Sequence, residues 1–507
     1  MNRTNKSIKN ISYNIFFFTL GIILSFFSRS LFIKSLGDEL VGLNITINNV
    51  IGILNLSELG IYAAISFLLY KPLHDNDKNS IIAIMSLFKK LYRYIGIFIF
   101  IFSIILTPFL SYWFQEENVI WYYPILAFWI FISGSLSTYF FNYRQVLFWA
   151  NQEGYKVISI IEWTAKLKTV FQIICVLVVN ENEYIYIYWL SLELIMNILQ
   201  VIFIEKKINL NFSWLNSEPH SSKVQELKPI VYRQIKRVFC YRVSSVLNLH
   251  ISPLFVYIFL TLKVVTSYTN YLLLVKLLNQ ISQMITGGIF ASLGNLMIEN
   301  NKEKEKNVFY EFASLKTFLG GFMAFGFFFN VDSLIILLFG EAYLLDKIDK
   351  ILLSIFIFIM TIRDIPESFL FAKGIYQDVG APIIELIIYL AGLLILGWAM
   401  GLTGIIISNI ISYLFILIWK PIYLERFFHH IRYKNYFYFI FKNILLLLMT
   451  YIMYVYFLDI FEGLYGYNII ILQIFLSGIL LGTIMVILFY IFNNYFRLLL
   501  KRTFTFI

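Results

Sequence analysis

The stretch RYIGIFIFIFSIILTPFLSYWFQEENVIWYYPILAFWIFISGSLSTYFFNYR, from Arg93 to Arg144, holds two apolar runs, 93–114 and 119–142, parted by a polar break at Glu116 and Glu117. A bilayer core of about 30 Å is crossed by about 20 apolar residues in a helix, so each run is long enough for one span. Trp113, Trp121, Tyr122 and Tyr123 border the break, where amphipathic rings favour the headgroup level. Arg93 and Arg144 close the far ends. The stretch reads as two antiparallel spans with an acidic, aromatic-rimmed connection outside and basic ends inside.

The same reading carried along the chain gives spans near 12–36, 41–69, 93–114, 119–142, 157–179 and 184–204, then 238–261, 265–298, 308–338, 351–372, 382–400 and 403–420, and a last pair near 438–458 and 467–492. Fourteen crossings leave only short connections, and 60% hydrophobic with 14% charged residues excludes extensive soluble domains. The net charge of +10 is set by its distribution and reports orientation rather than nucleic-acid binding. Of the 40 Lys and Arg, only Lys34, Lys263, Lys347 and Lys350 fall in outer connections when the N-terminus is placed inside. Arg29, Lys276 and Arg363 lie within apolar runs, and the rest fall in inner segments, as short cytoplasmic loops require. Both termini are expected in the cytoplasm of a bacterial cytoplasmic (inner) membrane protein. The charged segment Met1 to Asn14 resembles a signal-peptide start, but the following run is too long and no small-residue cleavage pattern follows, so it is expected to be retained as the first span.

Cys175 and Cys240 are too few and too isolated for a disulfide framework or a four-ligand metal site. No Gly-x-x-x-x-Gly-Lys-Ser/Thr loop occurs, so nucleotide hydrolysis by that cradle is excluded and no cofactor is expected. His74-Asp-Asn-Asp77 contains an acid-x-acid pattern, which in so short a hydrophilic loop is better read as solvated surface than as a metal site.

Gly60-Ile-Tyr-Ala-Ala-Ile65 in the second span echoes Gly288-Ile-Phe-Ala-Ser-Leu293 in the eighth, which places two six-helix halves in parallel register. Both linked spans carry polar faces: Asn44, Asn48, Asn55 and Glu58 in one, Thr269, Lys276, Gln280, Gln283 and Gly287 in the other. Such amides line a hydrophilic path or serve as interhelical packing bonds. A charge at membrane depth costs a few kcal/mol, about 3 on insertion scales, so Arg29, Lys276 and Arg363 are expected to face protein or water. Arg29 has snorkelling as its competing role, and Arg363 has an i,i+4 pair with Glu367 beside Pro366. Glu193, Asp332 and Glu385 read as interfacial carboxylates. His250, near Arg242 and one turn before Pro253, reads as a hydrogen-bonded packing histidine in a bent helix.

Arg29 to Leu36, Gly37-Asp-Glu39, Gly42-Leu-Asn44, Leu56-Ser-Glu58-Leu-Gly60, Tyr70-Lys-Pro-Leu73 and Tyr92-Arg93 together resemble the opening of bacterial polysaccharide-transporter flippases. These belong to the multidrug/oligosaccharidyl-lipid/polysaccharide exporter superfamily, and the resemblance covers roughly the first hundred residues. It implies a MATE-like, all-α polytopic membrane fold of about 14 transmembrane helices: a V-shaped pair of six-helix lobes, residues 1–204 and 238–420, joined by a cytoplasmic linker at 205–237, with two further helices and a tail at 421–507. It also implies a polyprenyl-diphosphate-linked oligosaccharide as substrate, membrane lipids as surroundings, and a polysaccharide polymerase or glycosyltransferase as pathway partner. Arg29, Lys276 and Arg363 would then offset the diphosphate, and Asn44, Asn48, Asn55, Gln280 and Gln283 would meet sugar hydroxyls. Glu58 would couple transport to an ion or proton. The competing functions are cation-coupled drug export, which favours acids and aromatics in the cleft, and a membrane polymerase or acyltransferase. The latter needs a larger outer loop than the roughly dozen residues the chain offers.

Overall fold

The structure, a computed structural model, describes the backbone of residues 3–505 apart from 116, 118, 152, 180–183, 218, 220, 300, 374, 376, 377, 379 and 463–469. Side chains at 3–15, 56–60, 62–64, 216, 234, 236–249, 285–292, 294, 295, 297–299, 458–462, 470, 471 and 503–505 also lie outside the description. The regular structure of the described residues is all helical. The helices gather into two compact units, Met1–Thr266 and Ser267–Ile507.

The first unit contains α1 (Arg3–Leu36), α2 (Asp38–Leu54), α3 (Leu56–His74), α4 (Lys78–Trp113), α5 (Tyr123–Phe140), the short α6 (Val146–Ala150), α7 (Tyr155–Val178), α8 (Ile185–Asn211), α9 (Ser221–Phe259) and the first turn of α10 (Leu262–Glu299). Gly37, at φ 86°, ends α1 in the left-handed conformation that glycine adopts without steric cost, and α2 starts at once. The run expected as one span at 41–69 is two helices, because Asn55 leaves helical geometry at ψ 7°. Asp77 caps α4 by accepting from the Ser80 amide at 3.0 Å, so the second acid of the acid-x-acid loop starts a helix. Within this unit α7 packs on α1 and α8, α5 on α4 and α8, and α9 on α2, α3 and α4. Residues 205–237, expected as a polar linker, are helical for most of their length, since α8 runs on to Asn211 and α9 begins at Ser221.

The second unit contains the rest of α10, then α11 (Lys302–Leu338), α12 (Lys347–Ile362), α13 (Asp364–Ala372), α14 (Gly380–Glu425), α15 (Tyr433–Glu462), α16 (Ile470–Phe492) and α17 (Asn494–Thr505). Helix α14 is two arms. Gly401 sits at φ 60°, ψ −130°, and a Cβ on Gly392 would come within 2.9 Å of Ser408. Residues sixteen apart in a straight helix would be about 24 Å apart, so the chain folds back on itself at Gly401. The two runs expected at 382–400 and 403–420 are therefore the arms of one hairpin. A buried polar chain fastens α15 and α16 to α11: Asn493 donates to Asn443 at 2.9 Å, Asn443 to Thr317 at 3.1 Å, and Ser314 to Asn493 at 3.2 Å.

Among the described residues eight segments are long and apolar enough to cross a membrane, and with exposed apolar side chains such as Phe98 and Phe109 on α4 they make this a multi-pass membrane protein. Hydropathy alone predicts fourteen runs. The α14 hairpin counts as one segment, Asn55 splits the second run, Arg363 separates α12 from α13, α7 carries Glu162, Lys166 and Lys168 along its length, and the runs 238–261 and 265–298 lie partly outside the described residues.

Candidate functional site

Arg29, Asn44, Asn48 and Asn55 belong to the first unit, and Lys276, Gln280, Gln283 and Arg363 to the second. In the first unit the Arg29 guanidinium, half-buried on α1, donates to the Thr266 carbonyl at 3.4 Å. Thr266 in turn donates through its hydroxyl to the Asp38 carbonyl at 2.7 Å, so the starts of α2 and α10 and the C-terminal part of α1 are tied together.

Asn44 is buried, accepts from the Tyr186 hydroxyl at 2.8 Å, and keeps its amide nitrogen without a hydrogen bond. Asn48, exposed one turn on, donates to the Asn44 carbonyl at 2.8 Å. Asn55 donates to Ser135 at 2.6 Å and accepts from Tyr139 at 3.4 Å, which fastens the α2–α3 break to α5. Asn44 and Asn55 thus act in interhelical bonds, the packing role weighed for them, while Asn48 keeps an exposed face. Asn49, which the polar stripe did not include, meets the His250 ring nitrogen at 3.0 Å. A Cβ on Gly52 would come within 2.5 Å of the same ring, so α2 and α9 are in close approach and His250 is a packing histidine. The side chain of Glu58 and most of the 60–65 and 288–293 echo lie outside the described residues.

In the second unit Lys276, Gln280 and Gln283 are exposed on α10, and Gln283 donates to Asp364 at 2.6 Å. Arg363 does not pair with Glu367. Its guanidinium meets Glu385 at 2.7 and 3.4 Å and stacks 4.0 Å from the Tyr413 ring. Glu367 instead faces Lys420 at 3.5 Å, which also faces Asp378 at 3.3 Å. Lys316 lies 3.7 Å from Asp364. Three cations from α11, α14 and the α12–α13 junction thus each meet at least one of four carboxylates, so every cation of the group is paired within the protein and the broken helix is held in place.

Glu385 and Glu193 are buried within the protein, and Glu193 accepts from Lys168 at 2.6 Å. Lys316 and Lys420 are 1% and 3% exposed, although their place near polar span ends made them read as inner-loop lysines. Lys316 stands well inside the apolar run FYEFASLKTFLGGF, the one signal that sets it apart. Among the described residues no group of three or more His, Cys, Asp or Glu could hold a metal ion.

No family model matches the chain, and no curated protein matches its sequence. Its fold matches solved structures. The lipid II flippase MurJ in an inward closed conformation aligns with a TM-score of 0.64 at 15% identity, over 96% of this chain and 99% of that one. A multidrug resistance MATE family transporter in an inward-facing conformation aligns at 0.59 and 13% identity, over 80% and 95%. A multidrug/oligosaccharidyl-lipid/polysaccharide superfamily transporter from Pyrococcus furiosus aligns at 0.54 and 13% identity, over 84% and 96%. The chain therefore has the helical fold that the lipid II flippase and the MATE exporters share.

Proposed function

We propose that the chain is a transporter of the multidrug/oligosaccharidyl-lipid/polysaccharide exporter superfamily that flips polyprenyl-diphosphate-linked oligosaccharides from the cytoplasmic to the outer leaflet for cell-surface polysaccharide synthesis. The observation that carries this is the extent of the fold match. The lipid II flippase is matched over 96% of this chain, whereas the MATE transporters leave about a fifth of it unmatched. Two six-helix lobes, 1–204 and 238–420, would alternate access, with the 421–507 helices as the addition to the MATE plan. A lipid-linked sugar diphosphate has a head too polar for hydrocarbon and a tail at home in it, so only the head needs enclosing and no covalent step is required. Arg29 and Lys276 are the head-group cations of this reading. Arg363 is set aside, because Glu385 and Tyr413 already occupy its guanidinium.

The test is a leaflet-resolved assay in proteoliposomes carrying a fluorescent prenyl-diphosphate-linked sugar. Wild type is expected to move the head across, and Arg29→Ala with Lys276→Ala to slow it at least about tenfold with normal insertion, the loss typical of a charge-assisted bond. Full transport by the double variant removes those residues from the mechanism. Cation-driven drug uptake without any head movement would instead establish the exporter function. Glu58→Gln is expected to abolish any dependence of flipping on a cation gradient.

A further inference from the structure

On α4 the residues Ile82, Met85, Ser86, Lys89 and Arg93 recur at three- and four-residue intervals and so form one stripe. That stripe is one wall of a cavity of about 500 Å³ contained wholly within the first unit. The opposite wall is the turn after α5, where Asn142–Gln145 forms a single 3-10 turn that brings Tyr143 and Arg144 to the cavity. Glu205 of α8 completes the side, and Leu215, Ser217 and Pro219 of the segment before α9 close one edge. All these connections are among those the basic-residue pattern assigns to the cytoplasmic side.

The charge in this cavity is unbalanced. Arg144 is paired with Glu205. Lys89 and Arg93, both exposed, have no carboxylate partner among the described residues. Two cations one turn apart on a rigid helix, with a third opposite, present donors to one anionic group from two sides. Glu205 is spent on Arg144: one carboxylate oxygen meets the guanidinium and the other is enclosed by protein, so it offsets one charge and leaves the Lys89–Arg93 pair in excess. The aromatic wall of Phe140 and Phe141 stands at its rim, where a chain or sugar face would rest. The volume falls in the range of small-ligand sites, about 300–1,000 Å³.

We infer that this cavity binds a phosphate ester at the inner headgroup level. Lys89 and Arg93 hold the phosphate, and Arg144, anchored by Glu205, faces it from the opposite wall. Two molecules share that chemistry: an anionic glycerophospholipid with a glycerol head, and the sugar diphosphate of the proposed cargo. The second alternative rests on the flippase reading; the binding site itself does not.

The protein is placed in nanodiscs of phosphatidylcholine containing either one-quarter phosphatidylglycerol or a few per cent farnesyl-diphosphate N-acetylglucosamine, and lipids retained after detergent extraction are counted by native mass spectrometry. Wild type is expected to retain the anionic lipid over phosphatidylcholine, and the arm that shows retention identifies the source. Lys89→Ala with Arg93→Ala should lower retention about a hundredfold, as for two charge-assisted bonds. The exchange Lys89→Arg with Arg93→Lys should keep it. Lys90→Ala removes the same charge from an exposed neighbour outside the cavity and should cost no more than about fivefold. Equal losses in Lys89→Ala and Lys90→Ala, or none in the double variant, overturn the site. Because binding is read separately from flipping, retention without transport sinks only the flippase reading, and transport without retention sinks only this one.

Discussion

An arginine removed from position 363 leaves Glu385, 3% exposed, as a buried carboxylate without the guanidinium that meets it. Breaking one side of a buried pair costs about 3–5 kcal/mol, whereas removing both charges costs much less. Arg363→Ala is therefore expected to lower the thermal unfolding midpoint of the detergent-purified protein sharply, and Arg363→Ala with Glu385→Gln to recover most of the loss; equal melting of single and double variants would show that the pair does not act as one. In the loop before α4 the Asp77 carboxyl is held below its ordinary value chiefly by the side-chain hydrogen bond from Ser80. A carboxylate with a lowered folded pKa stabilises above its unfolded value, 3.8, and loses that contribution as pH falls through the folded one. Hydrogen exchange of the Ser80 amide should stay slow at neutral pH and quicken as acid titrates the cap below the unfolded value. Asp77→Ala should show the faster rate at every pH, at a cost of about 1 kcal/mol to the first turn. Asp77→Asn should keep the cap and lose the pH dependence.

Helices in this chain are shaped as much by their interruptions as by their apolar runs. Gly401 turns α14 back through a backbone region that side chains avoid, and a Cβ on Gly404 would meet the Leu396 carbonyl across the hairpin. Gly401→Ala is expected to destabilise the second unit by about 1–3 kcal/mol. Gly326, in the middle of α11 with open space around its missing Cβ, gives the opposite expectation: Gly326→Ala should raise stability by up to about 1 kcal/mol through helix propensity. Melting both variants side by side separates backbone strain from side-chain space, and a Gly401→Ala protein as stable as wild type would mean the reversal tolerates a left-handed alanine. The break at Asn55 differs from that at Gly401 in how far it can be read. Met400-Gly-Leu402 interrupts two apolar runs of full length, so the hairpin is visible in the sequence as a boundary. Asn55 has no proline beside it, and its cause is tertiary, the bonds to Ser135 and Tyr139, 80 and 84 residues on.

For the molecule as a whole, hydropathy reveals the helices because lipid enforces it on nearly every outward side chain, but it cannot reveal partners inside a bundle. Helical spacing matches Arg363 to Glu367, while its true partner is Glu385, on the next helix and 22 residues away. Lys316 and Lys420 follow the positive-inside pattern by position and are buried in ion pairs by contact. The sidedness itself rests on the remaining basic residues, and it decides on which face the Lys89–Arg93 cavity opens. Cysteines placed one at a time at Asn76 and Gln115, in a chain whose Cys175 and Cys240 are replaced by serine, probe it directly. Asn76, at φ 54°, sits at the tip of the loop before α4, and Gln115 lies just past its far end. A helix of 36 residues is about 54 Å long, more than a bilayer core, so the two positions must lie on opposite faces if α4 spans. A membrane-impermeant maleimide should label Gln115→Cys in intact cells and Asn76→Cys only after permeabilisation. The reverse pattern would invert the topology and move the proposed phosphate site to the outer leaflet, and labelling of both in intact cells would mean that α4 does not cross at all.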